Sequence, residues 1–318
     1  MKIERVIFKN LRALRARDDS FLDPDRSPHA AVCLRGLNGS GKTTYLEVIA
    51  QLWQWFRLCT KRRTLLAPTE PLLNSSTSAA VLLSDLPGPE ASMWIAWSIR
   101  VDEVWLQPRV LEYWDALFTR AEIGIGSPFT PPNVVCIEAE KKYVPDLAPD
   151  ELTTLRSAAP YLPVARFDPN DRSVSHLEIV LRALFLTRHE RWVLLAKYMG
   201  ELRPGLELID PFDETSQHSL FRLHTGELLG VEHLSAGERS LLINLCMILR
   251  WLSPGGIVLL DEPELHQHIS VMRGSLAVLD SIISREFNGQ LIVASHAPEV
   301  WDHFRRTDAL IDLGGPAA

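Results

Sequence analysis

GLNGSGKTT, residues 36–44, follows an apolar run (His29–Leu34) and precedes a segment, Tyr45–Phe56, whose Leu46, Ile49, Leu52 and Trp53 recur on one helical face. The stretch fits G-x-x-x-x-G-K-[ST] in full. Gly36, Gly39 and Gly41 let the backbone fold with its amide hydrogens pointing inward, a cradle for phosphate oxygens that Asn38, Ser40 and Thr44 complete. Lys42 has the length to reach the β- and γ-phosphates and is expected to stay solvated until they arrive. The Thr43 hydroxyl suits Mg²⁺, and the helix N-terminus adds a favourable dipole. A glycine-rich turn without a ligand is the bland alternative. The strand before and the helix after decide against it.

The last third of the chain supplies partners for that loop. Ile257–Leu260 and Leu291–Ala294 are apolar at consecutive positions, as in strands of a parallel sheet covered on both faces. IVLLDEPE (257–264) sets two carboxylates just past the first of them. Asp261 is placed to hold the Mg²⁺ shell, and Glu262 to orient or deprotonate an attacking water. VASHAP (293–298) sets His296 past the second. A lone histidine is ordinarily structural, but the ends of parallel strands converge on the ligand in such sheets.

LSAGERS (234–240) reads in two ways that hold together. Ser235 and Glu238, spaced S-x-x-E before an apolar helix (Leu241, Leu242, Leu245, Ile248, Leu249), form a capping box worth about 1 kcal/mol. Capping needs neither Ala236 nor Gly237. A serine hydroxyl, a glycine amide and a positive helix end also make an anion site.

The ordered set GLNGSGKTT, LSAGERS, LLDEPELHQH, VASHAP resembles the ABC-type ATPase heads, and most nearly the soluble branch of SMC-like, RecF-like and OLD-family ATPases. The opening IERVIFKNLRAL is similar to that branch's first strand and N-F-R element, with Leu11 in place of phenylalanine. DEPELHQH is similar to D-E-P-E-x-x-L-H-P. Asp261, Glu262, Pro263, Glu264 and His268 match, while Gln267 replaces the leucine and Ile269 the proline. The likeness covers 1–57 and about 219–313 well, and 58–218 loosely. It implies an α/β fold of the P-loop NTPase kind. One domain over 1–318 would hold a mixed or parallel core sheet (1–57 and about 219–318), with an antiparallel β subdomain and a helical lobe inserted between.

By the same resemblance ATP and Mg²⁺ are the ligands and Arg12 lies near the nucleotide. Lys42, Thr43, Asp261, Glu262 and His296 act on ATP in cis. Ser235 and Gly237 act in trans on ATP held by a second copy, with Glu238 where many transporters carry glutamine, so that two heads sandwich two nucleotides. The family's glutamine at a strand end before the helical lobe has no counterpart in YLPVARFD (161–168), which leaves Arg166, Asp168 or Gln107 for its place. The aspartate usual after DE is not evident.

Composition sets outer limits. The chain has 318 residues, is 46% hydrophobic and 23% charged, and carries a net charge of −7. Such a chain builds a sizeable core and shows no overall basic footprint for nucleic acid. A local patch (Lys9, Arg12, Arg15, Arg17, with Lys61, Arg62, Arg63) is either solvated surface or a DNA contact. Cys33, Cys59, Cys136 and Cys246 are far apart in sequence and suit reduced thiols in the cytoplasm. No run suits a membrane span and the N-terminus lacks signal-peptide character. Glu264, His266 and His268 alternate, but the family match explains Glu264 and His268 without zinc.

Between the motif blocks the pattern predicts a loop-rich 61–91, a one-face-buried strand over Ile95, Trp97, Ile99 and Val101, and a strand at Val134–Glu138. A short or edge strand follows in 159–166, then helical periodicity from Leu177 to Met199 and a hairpin over 221–231. Helices are expected near 237–252 and 270–286, and a strand near 309–313. No internal repeat and no sustained heptads occur.

The expected function is an ATP-hydrolysing head that closes on ATP and drives or gates a separate effector, a nuclease or toxin, in anti-phage defence. About twenty residues follow His296, so no TOPRIM nuclease is expected in the chain. The alternatives are a DNA-repair or chromosome-maintenance ATPase, a transporter's nucleotide-binding subunit, and a clamp that senses ATP with little turnover.

Overall fold

The computed structural model describes residues 1–69, 71–124, 130–139, 161–168, 176–212, 220–265 and 269–314. In chain order the elements begin with β1 (Lys2–Leu11), a 3-10 turn (Arg12–Leu14), β2 (Arg15–Ser20), β3 (Ala31–Arg35) and α1 (Lys42–Arg62). Next come β4 (Ser78–Ser84), β5 (Met93–Trp97), α2 (Pro108–Glu122), β6 (Val134–Ile137) and β7 (Val164–Arg166). α3 (Leu177–Thr187), α4 (His189–Leu202), β8 (Leu206–Leu208), β9 (Phe221–Leu223) and β10 (Leu228–Leu229) follow. The last elements are α5 (Ala236–Trp251), β11 (Ile257–Asp261), α6 (Ile269–Ser281), β12 (Gln290–Ser295), α7 (Pro298–Arg305) and β13 (Leu310–Asp312).

The centre is a six-stranded parallel sheet in the order β13-β3-β12-β11-β6-β7. Its strands are apolar on both faces because each face is covered. Cys33, Val135, Val258, Leu260, Leu291 and Val293 pack with α3, α4, α5 and α6. Val32, Leu34, Val134, Cys136, Leu259 and Ile292 pack on the other side with α1, α2 and an antiparallel sheet ordered β2-β1-β4-β5. A small antiparallel sheet, β10-β9-β8, adjoins the helices. All parallel strands end at one edge, where Arg35, Ser295, Asp261, Ile137 and Arg166 lie side by side. Two of the six strands, β6 and β7, come from the segment between the motif blocks.

α1 anchors this edge to the second core. It begins where Gly41 takes φ 95°, and it ends at Arg63 in a left-handed conformation with Lys61 and Arg62 in its last turn, where cations suit the dipole. Trp53 and Phe56 pack edge-on against Trp114 and Phe118 of α2. Each such ring contributes about 1.5–3 kcal/mol by burial. The Arg57 guanidinium, nearly inaccessible, is held by Glu122 at 2.7 Å and Asp115 at 3.2 Å. Removing either acid would weaken the pairing of a buried charge.

Several expectations need correction. The strand over 95–101 stops at Trp97, because Ser98 takes φ 56° and turns the chain out of the sheet. The helical stretch 177–199 is two helices, broken at Arg188, whose φ of −144° is extended; neither glycine nor proline marks the break. The segment read as loop-rich contains the end of α1 and all of β4. α2 went unread, although Val110, Leu111, Trp114, Leu117 and Phe118 recur at helical spacing. The helix near 270–286 ends in a π-helical turn, Ile282–Glu286. No helix among the described residues is long and apolar enough to cross a membrane.

Candidate functional site

The loop between β3 and α1 is built for close approach. Gly39 and Gly41 take φ of 82° and 95°, conformations that favour glycine. A Cβ on Gly41 would stand 2.9 Å from Leu14 Cγ, and one on Gly36 would stand 2.4 Å from Ser40 Oγ. The turn after β1 therefore seats directly on the loop. Arg12 and Arg15 take positive φ there (37° and 49°), with Leu14 buried and Arg12 exposed. Ser40 Oγ is buried with no hydrogen-bond partner.

Lys42 departs from expectation. It is 5% exposed, and its ammonium donates to the carbonyls of Gly36 at 2.9 Å and Leu37 at 3.0 Å. A cation this buried needs partners, and the loop's own carbonyls supply them. Thr43 and Asp261 are brought together across 218 positions of sequence: the hydroxyl donates to Oδ2 at 2.6 Å. Asp261 Oδ1 has no partner. Burial raises the Asp261 pKa, and the bond from Thr43 only partly offsets it. A hydroxyl facing a carboxylate with an uncommitted buried oxygen is the hard-oxygen donor set that suits Mg²⁺. Among the described residues no cluster of three or more histidines, cysteines and acids forms a separate metal site; His266 and His268 lie outside the described residues.

Glu262 follows Asp261 with φ 42°, tied to the next strand by its amide donating to Ala294 O at 2.8 Å. Left-handed backbone at a non-glycine residue costs of order 1 kcal/mol and collects at functional sites. The Glu262 carboxylate meets His296 Nδ1 at 3.2 Å. Glu264 approaches the same nitrogen at 3.4 Å and also accepts from Ser295 Oγ at 2.6 Å and the His296 amide at 3.2 Å.

LSAGERS begins α5 as the capping box the sequence implies. Glu238 N donates to Ser235 Oγ at 3.3 Å, and Ser235 N to Glu238 Oε2 at 2.8 Å. Arg203 donates to the other Glu238 oxygen at 2.6 Å. Burial opposes ionisation of Glu238, but the bonds from Arg203 and Ser235 prevail and lower its pKa. Ser235 and Ala236 are exposed and Gly237 half-buried. Among the described residues the side-chain hydrogen bonds of Ser235 and Glu238 stay within this cluster, with none to residues 36–44.

Of the three residues weighed for the missing glutamine, Arg166 reaches the site. It forms a bidentate pair with Glu47 of α1 at 2.6 and 2.9 Å. Both line a cavity of about 390 Å³ with Thr43, Glu138 and Asp261. Gln107 instead precedes α2 and accepts from Arg109. Asp168 is exposed beyond the end of β7. The unread neighbour is Glu138. Leu260 pairs with Ile137, so Glu138 stands level with Asp261 on the adjacent strand. The signal was available: Val134–Ile137 is a wholly apolar strand followed by a carboxylate, the same pattern as Ile257–Asp261. Cys136 lines the cavity, but burial pushes its thiol up to about 12, which leaves no reactive thiolate.

No family model matches the chain, and no curated protein does. Solved structures do. The chain is similar to the SMC head domain from Thermotoga maritima, at 15% identity and a TM-score of 0.47, over 98% of this chain and 94% of that one. It is similar to the ADP conformation of an ATP-binding cassette of an ABC transporter, at 14% identity and a TM-score of 0.42, over 100% and 90% of the two chains. A dimeric post-hydrolysis state of an ATP-binding cassette bound to ADP and Pi matches at 15% identity and a TM-score of 0.42, over 98% and 97%.

Proposed function

We propose that the chain is a single-domain ABC-type ATPase head of the soluble SMC-, RecF- and OLD-like branch, which binds ATP at this sheet edge, hydrolyses it, and pairs with a second copy around the nucleotide. One observation carries the reading: Thr43 and Asp261 meet at 2.6 Å at the mouth of a glycine loop, with Glu262 and His296 on the adjoining strand ends. In this reading the amides from Asn38 to Thr44 and the Lys42 ammonium hold the phosphates. Thr43 and Asp261 would hold Mg²⁺, which when bound neutralises charge developing on the phosphoryl oxygens. Glu262 takes the proton from the attacking water, and His296 faces the terminal phosphate. Arg12, exposed beside the loop, contacts the nucleotide from the β1 side.

The exposed cap at Ser235 supports completion by a partner copy. Its serine is exposed and its glycine half-buried, and among the described residues its side-chain hydrogen bonds do not reach the loop of the same chain. Closure is then a population shift, because contacts made only in the paired state favour that state. The Glu262→Gln protein is expected to double its mass in solution on adding Mg-ATP. Adding Ser235→Arg should abolish that doubling while ATP affinity falls less than about threefold. The altered residue also removes an N-cap worth about 1 kcal/mol, so melting is measured beside it. A protein that stays monomeric with saturating Mg-ATP would overturn the paired reading.

The output of such a head is conformational, and the proposed recipient is a separate effector, a nuclease or toxin in anti-phage defence, in the cytoplasm. Four buried free thiols support a reducing compartment. Direct DNA binding is the second reading. It draws on exposed Lys9, Arg12 and Arg15. Against it, Arg17 is held by Asp19 at 2.7 Å, and Arg63 lies 3.6 Å from both Glu112 and Asp115.

A further inference from the structure

We infer that Glu264 is a positioning residue that fixes the His296 imidazole as its Nδ1–H tautomer and leaves Nε2 as the acceptor nitrogen. The assignment of His296 to the terminal phosphate rests on the ATPase reading above; the tautomer and its cause do not.

Two carboxylates approach the same imidazole nitrogen, Glu262 at 3.2 Å and Glu264 at 3.4 Å. Both are acceptors, so Nδ1 carries the hydrogen and Nε2 is left as the acceptor nitrogen. The shorter contact is not the one that fixes the ring. The Glu262 side chain has no other hydrogen bond among the described residues, and an arm that must meet water needs freedom. Glu264 is held. Its Oε1 accepts from Ser295 Oγ at 2.6 Å and from the His296 amide at 3.2 Å. Ser295 Oγ in turn accepts from Ala297 N at 3.0 Å. The same carboxylate oxygen thus holds the backbone turn that bears His296 and stands 3.4 Å from its ring nitrogen.

The other oxygen argues against a purely structural role. Glu264 Oε2 is buried and has no hydrogen-bond partner among the described residues. Leaving a buried acceptor unpaired costs about 1–3 kcal/mol, so a residue kept only for stability would serve better as an apolar group.

Long-range ¹H–¹⁵N spectra of the nucleotide-free full chain, at alkaline pH where a free imidazole is neutral, read the tautomer. The wild type should show His296 protonated on Nδ1. Glu262→Gln and Glu264→Gln, which keep an acceptor oxygen, should retain it. Glu264→Ala should shift it to the Nε2–H or averaged form. Should the alanine variant fail to fold, Glu264→Met keeps the length and removes the acceptors. In turnover, loss of the acceptor should lower kcat about 10–100-fold, as with other groups that orient a functional histidine, with KM for ATP within about threefold. Glu264→Gln should recover most of it. A lower melting temperature with unchanged His296 resonances and unchanged kcat per folded molecule would overturn the inference. So would loss of the tautomer in Glu262→Gln but not in Glu264→Ala. A wild type without ATPase activity would sink the functional reading and leave the spectrum to decide Glu264.

Discussion

Glu262→Gln is expected to bind Mg-ATP as tightly as the wild type and to hydrolyse it about 10²–10⁴-fold more slowly, the usual worth of a positioned general base. The neighbouring groups separate the two effects. Thr43 and Asp261 are the proposed metal pair, and Asp261 is buried with one oxygen uncommitted. Glu262 stands one residue beyond, on left-handed backbone anchored to Ala294, with its carboxylate at His296. Glutamine keeps the length and can donate or accept at His296, but it cannot take a proton from water. Single-turnover kinetics together with calorimetric affinity check the prediction. Near-normal turnover would place the base elsewhere, and a large loss of affinity would make Glu262 a ligand.

Lys42→Ala is expected to weaken ATP binding about 10²–10³-fold, the sum of two charge-assisted contacts of about 1.5–3 kcal/mol less what the free lysine already gains. That deduction matters because the ammonium is not solvated before phosphate arrives. It is bonded to Gly36 and Leu37, so ATP exchanges two neutral acceptors for charged ones. Removing it also strands those carbonyls, and a stability loss of about 1 kcal/mol is expected where a solvated lysine would have given none. Calorimetry and melting check the pair of effects. Unchanged affinity would show that the loop does not bind phosphate.

Much of the site was legible because its chemistry is local in sequence. GLNGSGKTT needs its glycines at the two positions that take positive φ, and IVLLDEPE sets its acids at the end of a strand whose burial the apolar run reveals. Ser235 and Glu238 cap α5 by a spacing rule of four residues. What depends on which strands become neighbours was not legible. Glu138 stands beside Asp261 only because β6 pairs with β11, and nothing in residues 134–138 says which strand they join. Arg166 appeared as a candidate, but its pairing with Glu47 is a meeting of α1 with an edge strand. Lys42 was misread because a buried lysine is rare, and the sequence does not show that the loop turns its carbonyls inward. The break at Arg188 has no glycine or proline to mark it, and Ser98 ended a strand that alternation would have continued.

The most direct measurement of the composite site mixes two inactive proteins. Lys42→Ala spoils the proposed phosphate loop and Ser235→Arg blocks the exposed cap, so two like copies meet with two broken sites. In a mixed dimer one site pairs both defects, and the other joins an intact loop to an intact Ser235. At equal concentrations about half of random encounters are between unlike copies, as expected for a symmetric two-fold pair, and only those join an intact site. With independent sites the mixture should recover about a quarter of wild-type turnover, with ATP-dependent heterodimers formed in parallel. Heterodimers that form yet leave turnover at the level of the single variants, or no heterodimers at all, would contradict a shared site and leave Ser235 as the cap of α5.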